Sequence, residues 1–115
     1  KRTVHGSSLS LPVYAGLAAY LGDTSLAYKL FMVGLDADLG DLYGNTEDGL
    51  HMGSIGGLWL AFIKGFLGLE VDGGDISINP RLPKQWKQVA LNIKIQGKKY
   101  RIIVRHDKKV VLEKQ

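Results

Sequence analysis

Up to about residue 71 the apolar side chains recur at helical spacing, and beyond it they alternate. Leu9, Val13, Leu17 and the pair Tyr20/Leu21 mark a first helix. Ser10 is placed to cap it, Pro12 fits its first turn, and Gly22 ends it. Asp23 or Thr24 caps a second helix carrying Leu26, Leu30, Phe31 and Leu35. The connection at Gly22-Asp23 is so short that the two helices should lie antiparallel. A polar loop over residues 36–53 follows. Ser54 then caps a third helix with a wide stripe of Ile55, Leu58, Trp59, Phe62, Ile63 and Phe66, with Gly68 near its end.

After Asp72-Gly73-Gly74-Asp75 the period is two. Ile76 and Ile78 alternate in a short strand. Asn79-Pro80-Arg81-Leu82-Pro83 reads as a connector, because two prolines in four residues resist regular structure, and Trp86 is expected to pin that connector onto the sheet. Val89, Leu91, Ile93 and Ile95 form one face of a half-buried strand. Gly97-Lys98 turns the chain into Tyr100, Ile102 and Val104, and Asp107-Lys108 turns it into Val110-Val111-Leu112. This phase puts Lys94, Lys99, Arg101 and Arg105 on the opposite face. The expected class is α+β: three helices over 1–71, then a small antiparallel β domain over 72–115. Gly16, Gly34, Gly56 and Gly57 lower helix propensity, which points to close contact with further helices and to a polypeptide that continues upstream. The opening Lys-Arg-Thr-Val-His, with no Met and no apolar stretch of a signal peptide, fits a piece of a longer chain.

Composition narrows the classes. At 115 residues the chain is one domain's length at most, and 45% apolar residues is normal for a packed globular protein. There are no cysteines, hence no disulfide framework or thiolate site, as suits a reducing compartment. The most apolar stretch, 55–69, is broken by Lys64 and four glycines and is too short to span a bilayer. The net charge of +4 conceals a division: residues 1–75 hold four Lys/Arg against nine Asp/Glu, and residues 76–115 hold eleven against two. A basic second half suits a polyanion surface, or the solvated face of a sheet docked on an acidic neighbour. Only Tyr100 is interleaved with the basic strand positions, and its phase places it on the apolar face, which argues against nucleic acid.

Candidate chemistry gathers at two junctions. Thr3-Val4-His5-Gly6-Ser7-Ser8-Leu9-Ser10 and Asn45-Thr46-Glu47-Asp48-Gly49-Leu50-His51 each put hydroxyl, imidazole, carboxylate and glycine residues just before an apolar helix. Helix starts carry free N–H groups and the positive end of the macrodipole, so hydroxyls there suit phosphate or sulfate. A Ser-rich N-cap with His5 on the surface meets the same spacing. Glu47, Asp48 and His51 have the chemistry of an acid, a base or a metal ligand, and equally that of an acidic loop ahead of a helix. His5, His51 and His106 lack metal-ligand spacing, so no metal is expected.

Taken together, the T-x-H-x-S-S-L-S run at 3–10, the N-T-x-D-G-L-H run at 45–51, the G-x-W-L-A segment at 57–61 and the N-P-R-L-P-x-x-W connector at 79–86 resemble the disaccharide phosphorylases of glycoside hydrolase family 65. The resemblance implies that the chain supplies the last helices of an (α/α)6 catalytic barrel followed by a small antiparallel C-terminal β domain. It implies inverting phosphorolysis of an α-linked glucosyl disaccharide, such as maltose, trehalose, kojibiose or nigerose, to β-glucose 1-phosphate. Ser7 and Ser8 match the family's phosphate-site serines, His51 the facing histidine, and His5 is a further candidate; Gly6 departs from the acidic or amide residue expected there. The general acid is expected to be a Glu upstream, so no catalytic residue is assigned within the chain, and the 115 residues alone should be inactive. Phosphate enters as substrate and no cofactor is implied. The implied partners are the disaccharide, phosphate, the remainder of the same polypeptide and, as in much of the family, a second subunit in a homodimer. Neither nucleic acid nor membrane is implied, and the location is cytoplasmic. A trehalase-like hydrolase of the same family, and a non-enzymatic module binding polyanions through its basic sheet, are the alternatives.

Overall fold

The computed structural model describes residues 10–40 and 52–115. Three helices come first: α1 (Ser10–Tyr20), α2 (Thr24–Leu39) and α3 (Met52–Leu60), the last running straight into a π-helical segment (Ala61–Phe66) closed by the Leu67 N–H donating to the Phe62 carbonyl at 3.0 Å. Five strands follow: β1 (Leu69–Asp72), β2 (Asp75–Ile78), β3 (Gln88–Ile95), β4 (Lys98–Arg105) and β5 (Val110–Lys114).

The α1–α2 turn follows from two residues. Gly22 takes φ +87, and the N–H groups of Gly22 and Asp23 donate to the carbonyls of Ala19 (3.0 Å) and Ala18 (2.9 Å), the paired bonds of a Schellman motif. Asp23 then caps α2, its Oδ1 accepting the Leu26 N–H at 3.1 Å. The chain therefore reverses at once, and the pair is antiparallel as the short connection required: Gly34, late in α2, lies against Leu11, early in α1.

Among the described residues, α1 meets the other helices through its small-residue face. Its stripe of Val13, Leu17 and Tyr20 is exposed, Val13 by 67%, while Leu11, Pro12, Ala15, Ala18 and Ala19 are buried. The helix is apolar nearly all round, so spacing alone could not choose between its faces. The small-residue face turns inward because it admits a close approach. A methyl group on Gly57 would stand 2.8 Å from the Pro12 Cβ, and one on Gly16 would stand 3.4 Å from the Ala61 Cα. Gly16, Gly34 and Gly57 each make close contacts among these helices; Gly56 has no described atom within 4 Å of a Cβ.

The β region forms two sheets where one was expected. The β1–β2 hairpin, with Leu69 opposite Ile78, includes a strand that the alternation had missed. The other sheet is antiparallel in the order β3-β4-β5. Val89 faces Val104, Leu91 faces Ile102 and Ile93 faces Tyr100, so the apolar positions of β3 and β4 share a face as anticipated. Ile102 and Val104 are fully buried in one core with Phe66, Leu67, Leu69 and Leu82. The β3–β4 turn is Gln96–Gly97, one residue earlier than expected, with positive φ at both positions as a two-residue hairpin turn requires.

Trp86 packs against the core shared by helices and sheet. Its ring meets the helices with centroids 4.9 Å from Phe66, 5.7 Å from Phe31, 6.0 Å from Phe62 and 6.1 Å from Tyr28. The connector is held there because the Arg81 N–H donates to the Phe66 carbonyl at 2.7 Å and its prolines are buried.

Candidate functional site

Ser7, Ser8, His5 and His51, with Glu47 and Asp48, lie outside the described residues. The elements to which they lead are described, and these set the frame. Along α1, Pro12 meets Gly57, Gly16 meets Ala61, and Gly16 with Ala19 meets Gly65. Residue numbers rise together along both, so α1 runs parallel to α3 and its π-helical continuation. The starts of both, Ser10 and Met52, therefore lie side by side at one end. Ser8 is two residues before Ser10 in the chain and His51 immediately precedes Met52. The two sequence runs lead into these two helices.

Two parallel helices point the positive ends of their dipoles the same way, an arrangement that favours an anion. The spacing between them is set by contact of α-carbon against ring at Gly57 and Pro12 and so tolerates little adjustment. Ser54, expected at the N-cap, is the third residue of α3, and its side chain is 2% exposed. The helix starts earlier because Met52 and Gly53 are already helical. Ser54 is the buried polar residue at this end among those described, and sequence reasoning had treated it only as a cap. Its position among Gly53, Gly56 and Gly57 was the available signal, since small residues mark a tight helix contact.

The basic face of the sheet is a separate feature. Lys94 stands opposite Lys99, and Arg101 is flanked by Asn92 on β3 and Glu113 on β5. All four basic positions named from the alternation are exposed. No group of three or more His, Cys, Asp or Glu residues among those described is placed to hold a metal, and no described helix is long and apolar enough to cross a membrane. Changing Lys99 and Arg101 together to Gln in the full-length protein is expected to leave turnover near wild type and to shift stability by under about 0.5 kcal/mol per site. Parallel activity and melting measurements check this; lost turnover at an unchanged melting point would give the face a role in function.

The model of the glycosyl hydrolase family 65 central catalytic domain matches residues 1–60, which include α1 to α3, and the model of that family's C-terminal domain matches residues 69–114, which hold the five strands. An alpha,alpha-trehalose phosphorylase of Geobacillus stearothermophilus is 41% identical over 98 residues, covering 85% of this chain and 13% of that protein. A kojibiose phosphorylase of Thermoanaerobacter brockii is 40% identical over 105 residues, covering 90% and 14%. A maltose phosphorylase of Bacillus subtilis is 38% identical over 111 residues, covering 96% and 14%. Among solved structures, a putative kojibiose phosphorylase from the human microbiome superposes with a TM-score of 0.84 at 29% identity, over 98% of this chain and 16% of that one. The chain thus spans roughly one-seventh of the length of these relatives, and two successive domain matches, in the order of its helices and strands, place it in glycosyl hydrolase family 65.

Proposed function

We propose that this chain provides the phosphate-binding part of an inverting disaccharide phosphorylase. The observation that carries the reading is the shared end of α1 and α3, toward which the serine run and His51 both lead. In this reading Ser7 and Ser8 donate hydroxyl hydrogen bonds to phosphate and His51 faces them, with His5 at the rim. Both helix starts add favourable dipole ends. Phosphate oxygen attacks the anomeric carbon of an α-linked glucosyl disaccharide from the face opposite the leaving group. The glycosidic C–O bond breaks, and a carboxylic acid outside this chain protonates the departing oxygen. The products are β-glucose 1-phosphate and the free acceptor sugar. Phosphate is itself the nucleophile, so no base is needed to activate water.

The similar proteins bearing the names trehalose, kojibiose and maltose phosphorylase support the reaction class and leave the disaccharide open. The test is steady-state kinetics of the full-length protein with Ser8→Ala and His51→Ala. Each loses a hydrogen bond to a charged group, typically about 1.5–3 kcal/mol, so the KM for phosphate should rise about one to two decades while the KM for disaccharide changes little. Unchanged phosphate kinetics with lowered stability would reduce these residues to helix caps.

A further inference from the structure

At the other end of α1, away from the helix starts, the chain encloses a second feature. A cavity of about 450 Å³ lies between the α1–α2 turn and the β domain, and its polar lining is Thr24, Asn79, Arg81, Arg105, His106 and Lys108. The eleven residues of α1 put it about 16 Å from Ser10. Among the described residues no carboxylate lines it. These basic residues come from separate parts of the fold: Arg81 from the connector after β2, Arg105 from the end of β4, and His106 and Lys108 from the β4–β5 turn.

Each basic residue is held at the backbone. The Arg81 N–H donates to Phe66 and its guanidinium lies 5.2 Å from the Tyr20 ring centroid. The His106 N–H donates to the Lys87 carbonyl, Arg105 donates to Lys109, and Lys108 donates to Arg105, each at 2.9 Å. The acidic neighbours are engaged elsewhere. Asp23 caps α2, and Asp107 accepts the Lys109 N–H at 3.1 Å and meets its ammonium at 3.7 Å. Among the described residues none of Arg81, Arg105 and Lys108 forms an ion pair. Arg81, Arg105 and Lys108 put three positive charges around one concavity, a lining that favours an anion. Lysines in a solvated turn alone would carry no such implication; Arg81, delivered from another segment and stacked on Tyr20, makes the difference.

We propose that this cavity binds a phosphorylated sugar of hexose size. Arginine forks match phosphate oxygens in a fixed planar geometry. The Thr24 hydroxyl and the Asn79 amide offer partners for sugar hydroxyls, and the volume lies within the range of small-molecule sites.

The test titrates glucose 6-phosphate, which the proposed reaction neither consumes nor forms, into the full-length protein by calorimetry. Wild type and a Lys99→Gln/Arg101→Gln control, which loses equal charge from the sheet's outer face, should bind one equivalent with the same affinity. Arg105→Gln/Lys108→Gln, at two exposed positions outside the core, should bind at least about tenfold more weakly, as expected for lost charge-assisted contacts. Inorganic phosphate forms a second arm. Binding here by inorganic phosphate alone, equal affinity in wild type and the Arg105/Lys108 variant, an equal loss in the control, or no binding by wild type would each overturn the proposal. The outcome does not depend on whether the disaccharide is cleaved by phosphate or by water.

Discussion

Trp86→Ala should lower stability by about 3–5 kcal/mol, the largest single-residue loss expected anywhere in the described structure. The indole ties the connector between the two sheets to α2 and to the π-helical segment through Phe31, Phe66, Phe62 and Tyr28. Edge-on ring contacts of this kind add to plain area burial, and alanine would leave a cavity bounded by Phe66, itself fully buried. The effect should be on the joint between helices and strands: limited proteolysis should release the β domain first, ahead of general unfolding. Denaturation followed by circular dichroism gives the magnitude. A loss under about 1 kcal/mol would mean that the four-ring junction does not hold the two parts together.

Gly57→Val should damage both stability and phosphate use. Even the first carbon of the new side chain would stand 2.8 Å from the Pro12 Cβ, and a proline ring inside a helix cannot swing aside. Overpacking of this sort costs typically about 1–3 kcal/mol, and relief requires α1 and α3 to separate at the end where the serine run and His51 enter. A displacement near 1 Å at a reacting site can cost about 10²-fold in rate, so kcat/KM for phosphate should fall by that order. Gly56→Val is the control, since no described atom lies within 4 Å of a Cβ there. If both variants behave alike, the α1–α3 contact is not what positions the site.

Much of the fold was legible because independent signals agreed. Gly22 and Asp23 fixed the helical hairpin through one Schellman turn and one cap. The β3–β4 pairing followed from alternation, which a one-residue slip would have inverted. What was not legible has physical causes. Spacing on α1 did not show which of its apolar faces meets α2 and α3, because the close approach at Gly16 and Gly57 selects the small-residue face. The rings that Trp86 meets were not legible either, because only the fold brings Phe31 and Phe66 to it. β1 escaped because Leu69-Glu70-Val71-Asp72 directly follows a helix-period stretch and is too short to show a period of its own. The candidate phosphate residues were read from two sequence runs and lie outside the described residues; the structure adds the parallel register that draws the two helix starts together. The basic cavity at the opposite end could not be read at all, because Arg81 and Arg105 belong to different segments that the sequence gives no reason to join.

The central claim is that phosphate, and not water, accepts the glucosyl group. The direct measurement is phosphorus and proton magnetic resonance on the full-length protein with trehalose, kojibiose, maltose or nigerose, with and without inorganic phosphate. The account predicts β-glucose 1-phosphate from at least one of them, formed in equal amount with the acceptor sugar and only when phosphate is present. Release of free glucose alone, at a rate indifferent to phosphate, would contradict it and make the protein a hydrolase.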